Sequence, residues 1–257
     1  MQASHSDSTS GGSDAGPTAF GLIVIGDEVL NGGRQDAHLP NLKALLAERG
    51  HQLAWYWMLP DDPTVLIRFF HISFAASEPV LCCGGIGATP DDHTRACVAA
   101  AADLPLARHP AAQAQIEQAF GASAYPYRIL MADLPAGCTL IPNPHSPIPG
   151  FGLRAHWFLP GFPQMALPMA RWVLDQHYGH GSPLRECSVQ VVGVPESRLI
   201  PLMRQLGERW PALKVFSLPH IGEDPHIVLG IRGRSDLGPA LTELKAGLDA
   251  AGFAWRE

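Results

Sequence analysis

The chain has 257 residues, room for one large domain or two smaller ones. Its 18 basic residues against 24 acidic ones leave a net charge of −6 with no basic block, which excludes a nucleic-acid partner of the electrostatic kind. A hydrophobic share of 46% is ample for a core, yet no apolar run approaches the roughly 20 residues of a membrane span, so no membrane partner is expected.

Residues 1–18 are rich in Ser, Gly and Asp and lack an apolar segment. They read as a disordered tail and not a signal peptide. Phe20–Ile25 is a buried-strand run that ends at Gly26-Asp27-Glu28. His38–Arg49 has Leu39, Leu42, Leu45 and Leu46 at helical spacing, with Gly50 as the stop. Gln52–Met58 is strand-like, Pro60-Asp61-Asp62-Pro63 is a turn, and Thr64–Ser77 is an amphipathic helix. Val80–Cys83 is an uncharged strand, broken by Gly84, Gly85 and Gly87 before a helix over 94–102. Strands alternating with helices through short loops predict an α/β fold with a mostly parallel sheet. In such sheets a ligand sits beyond the carboxyl ends of the strands, here loops 26–36, 59–63 and 84–92.

The segment 124–168 is proline-rich and predicts stiff loops, a wall over the pocket or a scaffold along the sheet edge. A helix at 164–178 closes the domain, and 180–183 reads as a linker. From 186 onward the order is strand (187–194), helix (196–210), strand (213–218), strand (226–233), helix (237–251) and strand (253–255). That βαββαβ order predicts a ferredoxin-like α+β unit, for which assembly is the expected role. The division is therefore 1–18 tail, 19–180 α/β domain and 185–257 α+β domain. The five cysteines are odd in number and lack a CxxC spacing, as expected of reduced thiols in a cytoplasmic protein. His177 with His180, and His220 with His226, lack the ligand sets of a zinc site.

The glycine turn carries the sharpest chemical signal. Three glycines in four residues let a ligand approach the backbone, and a strand-to-helix turn offers free N–H groups to an anion. Thr89 adds a hydroxyl, and Asp91 and Asp92 lie at the mouth of the same turn. Each has a plainer reading as well: Asp91 or Asp92 as a helix cap, Asp61 as a turn former, Arg95 as a phosphate clamp or a solvent-facing side chain.

GGIGATPDDHTR (84–95) resembles the signature of the molybdopterin-binding fold, above all that of the CinA-like N-terminal domain, with a looser version in MogA and MoaB proteins. Ile25-Gly26-Asp27-Glu28, Gln35-Asp36, Asn143-Pro144, Pro149-Gly150-Phe151 and Leu159-Pro160-Gly161 extend the resemblance in order over roughly 20–178. It implies a three-layer α/β sandwich, a homo-oligomer (dimer or trimer) and a small-molecule pterin or nucleotide ligand. It further implies Asp61 and Asp92 as catalytic residues holding a divalent metal (Mg, Mn or Co). Gly26, Asp27, Glu28, Asp36, Gly84, Gly85, Gly87, Thr89, Asp91 and Asn143 would line the ligand site. The implied activity is a metal-dependent pyrophosphatase acting on an ADP-ribose-type diphosphate. The alternatives are a pterin- or nucleotide-binding module without catalysis, and a molybdopterin adenylyltransferase.

The chain departs from the family pattern in several places. Asp36-Ala37-His38 stands for an Asp-Thr-Asn triplet, Cys83 for a threonine, Ala88 for a proline, and Ser146-Pro147 for Gly-Thr. LPGFPQM lacks the glutamate usual in that stretch. These losses bear on catalysis more than on fold. The nicotinamide-mononucleotide deamidase domain of full-length CinA proteins is not expected here.

Overall fold

The fold is that of a computed structural model describing residues 19–257; the tail expected at 1–18 lies outside the described residues. The chain divides into two compact units, one ending at Gly181 and one spanning Ser182–Glu257.

The first unit runs β1 (Ala19–Ile25), α1 (Asp27–Leu30), α2 (His38–Glu48), β2 (Gln52–Leu59), α3 (Pro63–Phe74), β3 (Val80–Cys83) and α4 (Thr94–Ala101). Then follow β4 (Leu106–Arg108), α5 (Pro110–Phe120), β5 (Asp133–Pro135), β6 (Thr139–Ile141), β7 (Gly150–Leu153), β8 (His156–Leu159) and α6 (Pro163–His177). Six strands form one sheet in the order β2-β1-β3-β8-β7-β6. β2, β1, β3 and β8 are parallel, and β7 turns the sheet antiparallel.

The central strands are apolar at consecutive positions because both faces of the sheet are covered. On β1, Ile23 and Ile25 pack with Leu66 and Phe70 of α3 and Val98 of α4 on one face. The alternate residues Leu22 and Val24 pack with Leu42, Leu45 and Leu46 of α2 and Met169 and Val173 of α6 on the other. The result is a three-layer α/β sandwich with a mostly parallel sheet.

The proline-rich segment corrects the expectation of stiff loops, since 124–168 carries four strands, β5 to β8, with β8 fully buried beside β3. The prolines punctuate those strands: Pro142 follows β6, Pro149 precedes β7 and Pro160 follows β8. A residue that cannot donate to a sheet ladder is tolerated at strand ends. α5 lies where no element was expected. Only Ala112 and Ile116 of it are buried, so its apolar stripe is faint, though His109 caps it and Pro110 opens it.

The second unit runs β9 (Arg185–Val192), α7 (Ile200–Arg209), β10 (Lys214–His220), β11 (His226–Gly233), α8 (Gly238–Ala250) and β12 (Ala254–Arg256). Its strands form an antiparallel sheet in the order β10-β11-β9-β12, which is the split-βαβ arrangement. Val191, Leu229 and Ile231 meet Leu206 of α7 and Leu244 and Leu248 of α8 in one core. The helix expected from 196 begins properly at Ile200, after a 3₁₀ turn at Glu196–Arg198, because Pro201 fits only a first helical turn. Among the described residues no helix is long and apolar enough to cross a membrane.

Candidate functional site

β1, β2 and β3 point their carboxyl ends the same way, so the three loops that follow them open at one sheet edge. There a cleft of about 540 Å³ lies between the Gly84–Asp92 loop, the Gly26–Arg34 segment, Asp61, the Asn143–Ile148 turn and the Pro160–Phe162 loop.

The glycine loop is held by its own side chains. Asp92 Oδ1 accepts the Gly87 N–H at 3.0 Å, and Oδ2 accepts the Thr89 N–H at 2.8 Å together with the Thr89 hydroxyl. Thr94 donates its hydroxyl to the Gly84 carbonyl at 2.9 Å. Gly84 must be glycine: its φ is 112°, and a Cβ would lie 2.2 Å from the Ile25 carbonyl oxygen. Gly85, at φ 65°, would drive a Cβ to 2.3 Å from Thr94 Oγ1. Gly85 and Ile86 line the cleft, and among the described residues neither N–H donates to the loop's own carbonyls or side chains. Two open amides beside the N-terminus of α4 suit an anion.

Arg95 takes neither of its expected roles. It is buried, with its guanidinium donating to the carbonyls of Gly87 at 2.6 Å and Asp133 at 3.0 Å and to that of Leu130. It braces the glycine loop from behind.

The opposite wall is acidic. Asp27 and Asp61 lock their loops together: the Asp27 N–H donates to Asp61 Oδ2 at 2.9 Å, and the Asp61 N–H to Asp27 Oδ1 at 3.4 Å. Burial, with the nearby charges of Asp27, Glu28 and Asp91, pushes the Asp61 carboxyl above the usual range. Arg34, which pairs with Glu28 at 3.9 Å, is the one cation among the described lining residues, against carboxylates from Glu28, Asp61, Asp91 and Asp92.

Gly26, Glu28, Asp61, Gly84, Gly85, Gly87, Thr89, Asp91, Asp92 and Asn143 therefore meet in one cleft. Asp27 stands behind Asp61. Asp36 lies outside this cleft and caps α2, accepting the N–H groups of His38 at 2.8 Å and Leu39 at 3.1 Å. Asn143 closes its own turn, donating to the Ile148 carbonyl at 3.1 Å. Sequence reasoning missed Arg34, Ile148, Phe162 and Met165, all of which line the cleft. Phe162 and Met165 lie in the quoted LPGFPQM stretch; Arg34 and Ile148 had no motif to flag them.

Among the described residues no group of three or more His, Cys, Asp or Glu side chains is arranged to hold a metal ion. Asp61 and Asp92 both line the cleft, and both Asp92 oxygens already accept the loop's own donors, so any cation here would take few protein ligands, as magnesium does when waters and ligand phosphates complete its shell.

Residues 21–179 match the model of the family described as "Probable molybdopterin binding domain". A CinA-like protein of Geobacter sp. (strain M21) is 29% identical over 246 residues, covering 91% of this chain and 59% of the relative. The chain thus spans under two thirds of that relative's length. A protein of Pyrobaculum calidifontis is 28% identical over 213 residues, covering 79% of this chain and 81% of the relative. Among solved structures, the protein CinA with unknown function from Thermoplasma acidophilum superposes with a TM-score of 0.58 at 25% identity, over 62% of this chain and 98% of that one.

Proposed function

The chain belongs to the molybdopterin-binding-domain family, and on that premise we propose that its cleft binds a phosphate-bearing nucleotide or pterin and hydrolyses an ADP-ribose-type diphosphate with the help of a divalent cation. One observation carries this reading: Gly85 and Ile86, whose amides the glycine loop leaves unbonded, share a cleft with four carboxylates and, among the described lining residues, a single cationic side chain. A diphosphate entering such a cleft meets net negative charge, which favours its arrival as a metal complex. Asp61 and Asp92 would hold that cation alongside the ligand's phosphates, and the ion would supply charge neutralisation and an activated water. The Gly85 and Ile86 amides hold and orient one phosphate. Asp92 keeps the turn that presents them, through its bonds to Gly87 and Thr89. Asp61, with Asp27 fixing its orientation, faces the phosphate from the other wall.

Release of AMP from ADP-ribose, in a panel with NAD, FAD and ATP and with magnesium, manganese or cobalt, tests the proposal. Asp61→Asn is expected to lower turnover about 100-fold or more. Unchanged turnover in a protein carrying both Asp61→Asn and Asp92→Asn overturns the assignment. A second reading, a binding module without turnover, draws support from the occupation of both Asp92 oxygens by the loop's own donors. Its signature is a ligand that raises the melting temperature while no AMP appears.

A further inference from the structure

Phe162 is 52% exposed although it lines the cleft. Its backbone is held at its carbonyl and at the residues on either side. Its carbonyl accepts the N–H groups of Met165 and Ala166, each at 2.9 Å, and Pro163 opens α6 directly after it. Before it, the Gly161 carbonyl is the partner of His38 Nε2 at 3.2 Å, and a Cβ on Gly161 would lie 3.5 Å from Gly84 Cα. The Gly84 N–H donates to the Leu159 carbonyl at 3.0 Å, which ties the start of the glycine loop to the end of the strand that leads into Phe162. The Arg34 guanidinium lies 5.8 Å from the centre of the Phe162 ring, within cation–π range.

An aromatic ring kept half in water on an anchored backbone, beside open amides suited to phosphate, has the makings of a stacking surface. Ile148 and Met165 give the same cleft an apolar lining that a charged ligand alone would not use. We infer that the Phe162 ring, backed by Arg34, is the platform on which the planar heterocycle of the ligand stacks while its phosphate sits on the Gly85 and Ile86 amides. The substrate class is then a flat nitrogen heterocycle joined to a phosphate, a description that purine nucleotides and phosphorylated pterins share. The inference rests on reading the glycine turn as the phosphate site.

Calorimetric titration of the full chain with AMP, neopterin monophosphate and ribose 5-phosphate, in magnesium buffer, separates the two ideas. Ribose 5-phosphate reports on the phosphate site alone. At least one ring-bearing probe is expected to bind roughly 5- to 150-fold more tightly than ribose 5-phosphate, and which of the two gains more identifies the heterocycle. Phe162→Ala and Phe162→Leu are expected to erase that preference by bringing the ring-bearing probes down to the affinity of ribose 5-phosphate, and Phe162→Tyr to keep it. Leucine retains apolar area without a π face, so its loss of preference points to stacking and not to area. A ring preference that survives Phe162→Ala overturns the platform and leaves the phosphate site standing. So does equal binding of all three probes by the unsubstituted chain. Failure of all three to bind overturns the platform and the phosphate reading together.

Discussion

The two walls of the cleft use similar side chains for opposite purposes. On the glycine-loop wall, the Asp92 carboxylate and the Arg95 guanidinium bond the backbone they shape. On the facing wall, Glu28 and Asp61 crowd together with Asp27, and among the described lining residues the one cation is Arg34, paired with Glu28. A charge whose hydrogen bonds are satisfied by the fold stabilises it, and a charge held among like charges is an electrostatic cost that a ligand can relieve. The lesson is one of placement: Asp92 of the DD motif is in part scaffold, with three bonds to its own loop, and Asp61, presented by a plain turn, accepts a single bond from Asp27.

The contrast is broken or sharpened by substitutions on each wall. The largest effect is expected of Arg95→Ala, which strips three backbone carbonyls of a buried charged donor. Hydrogen bonds to charged groups contribute about 1.5–3 kcal/mol each, and the guanidinium's own burial cost offsets part of the sum. A loss of about 3 kcal/mol in urea denaturation is expected, with ligand binding weakened because the Gly87 carbonyl is no longer held. A loss below about 1 kcal/mol would show that the loop stands without its brace.

Next comes Asp92→Asn. The amide keeps one acceptor and sets an N–H₂ against loop donors at Gly87 or Thr89, so a loss of about 1–2 kcal/mol is expected. Phosphate-ligand affinity should fall with it, because the turn that presents the amides is loosened. Stability unchanged from the parent chain, together with lost turnover, would instead assign Asp92 to chemistry alone.

Much of this was legible in the residues. The uninterrupted apolar runs 20–25 and 80–83 announced strands buried on both faces, and the Leu spacing of 38–49 announced α2, because sheet and helix periodicities survive where a core covers them. β8 was missed inside a proline-rich stretch because a histidine and three apolar residues flanked by a turn and a proline look the same as a loop. α5 was missed because it buries only two residues. In the site, the glycines and acidic residues stood out by motif. Arg34 and Phe162 did not: their closeness depends on how loops 26–36 and 160–162 fold over one sheet edge, which no local spacing records. The Asp91–Asp92 pair shows a different limit. The sequence placed both at the turn's mouth, and only the coordinates separate the exposed Asp91 from the Asp92 that braces the loop.

Asp61→Asn carries the smallest expected change in stability and the opposite sign. The Asp61 carboxyl titrates above its ordinary 3.8 in the folded chain, chiefly because burial disfavours its charge and further because Asp27, Glu28 and Asp91 repel it. Below pH 3.8 folded and unfolded chains both hold the proton, and Asp61 costs nothing. As pH rises from 3.8 through the raised folded value, the unfolded chain releases its proton first, so stability falls, and it stays lowered at neutral pH. Asparagine keeps an oxygen for the Asp27 N–H and removes the charge, so the variant should melt higher than the parent at pH 7 and not at pH 3.5. Melting curves at the two pH values measure the difference, and turnover measured on the same samples should move the other way. A variant that melts lower at pH 7 would mean that the Asp27 N–H bond to a charged carboxylate outweighs the repulsion around it. The acidic wall would then be scaffold as well, and the contrast between the two walls would fail.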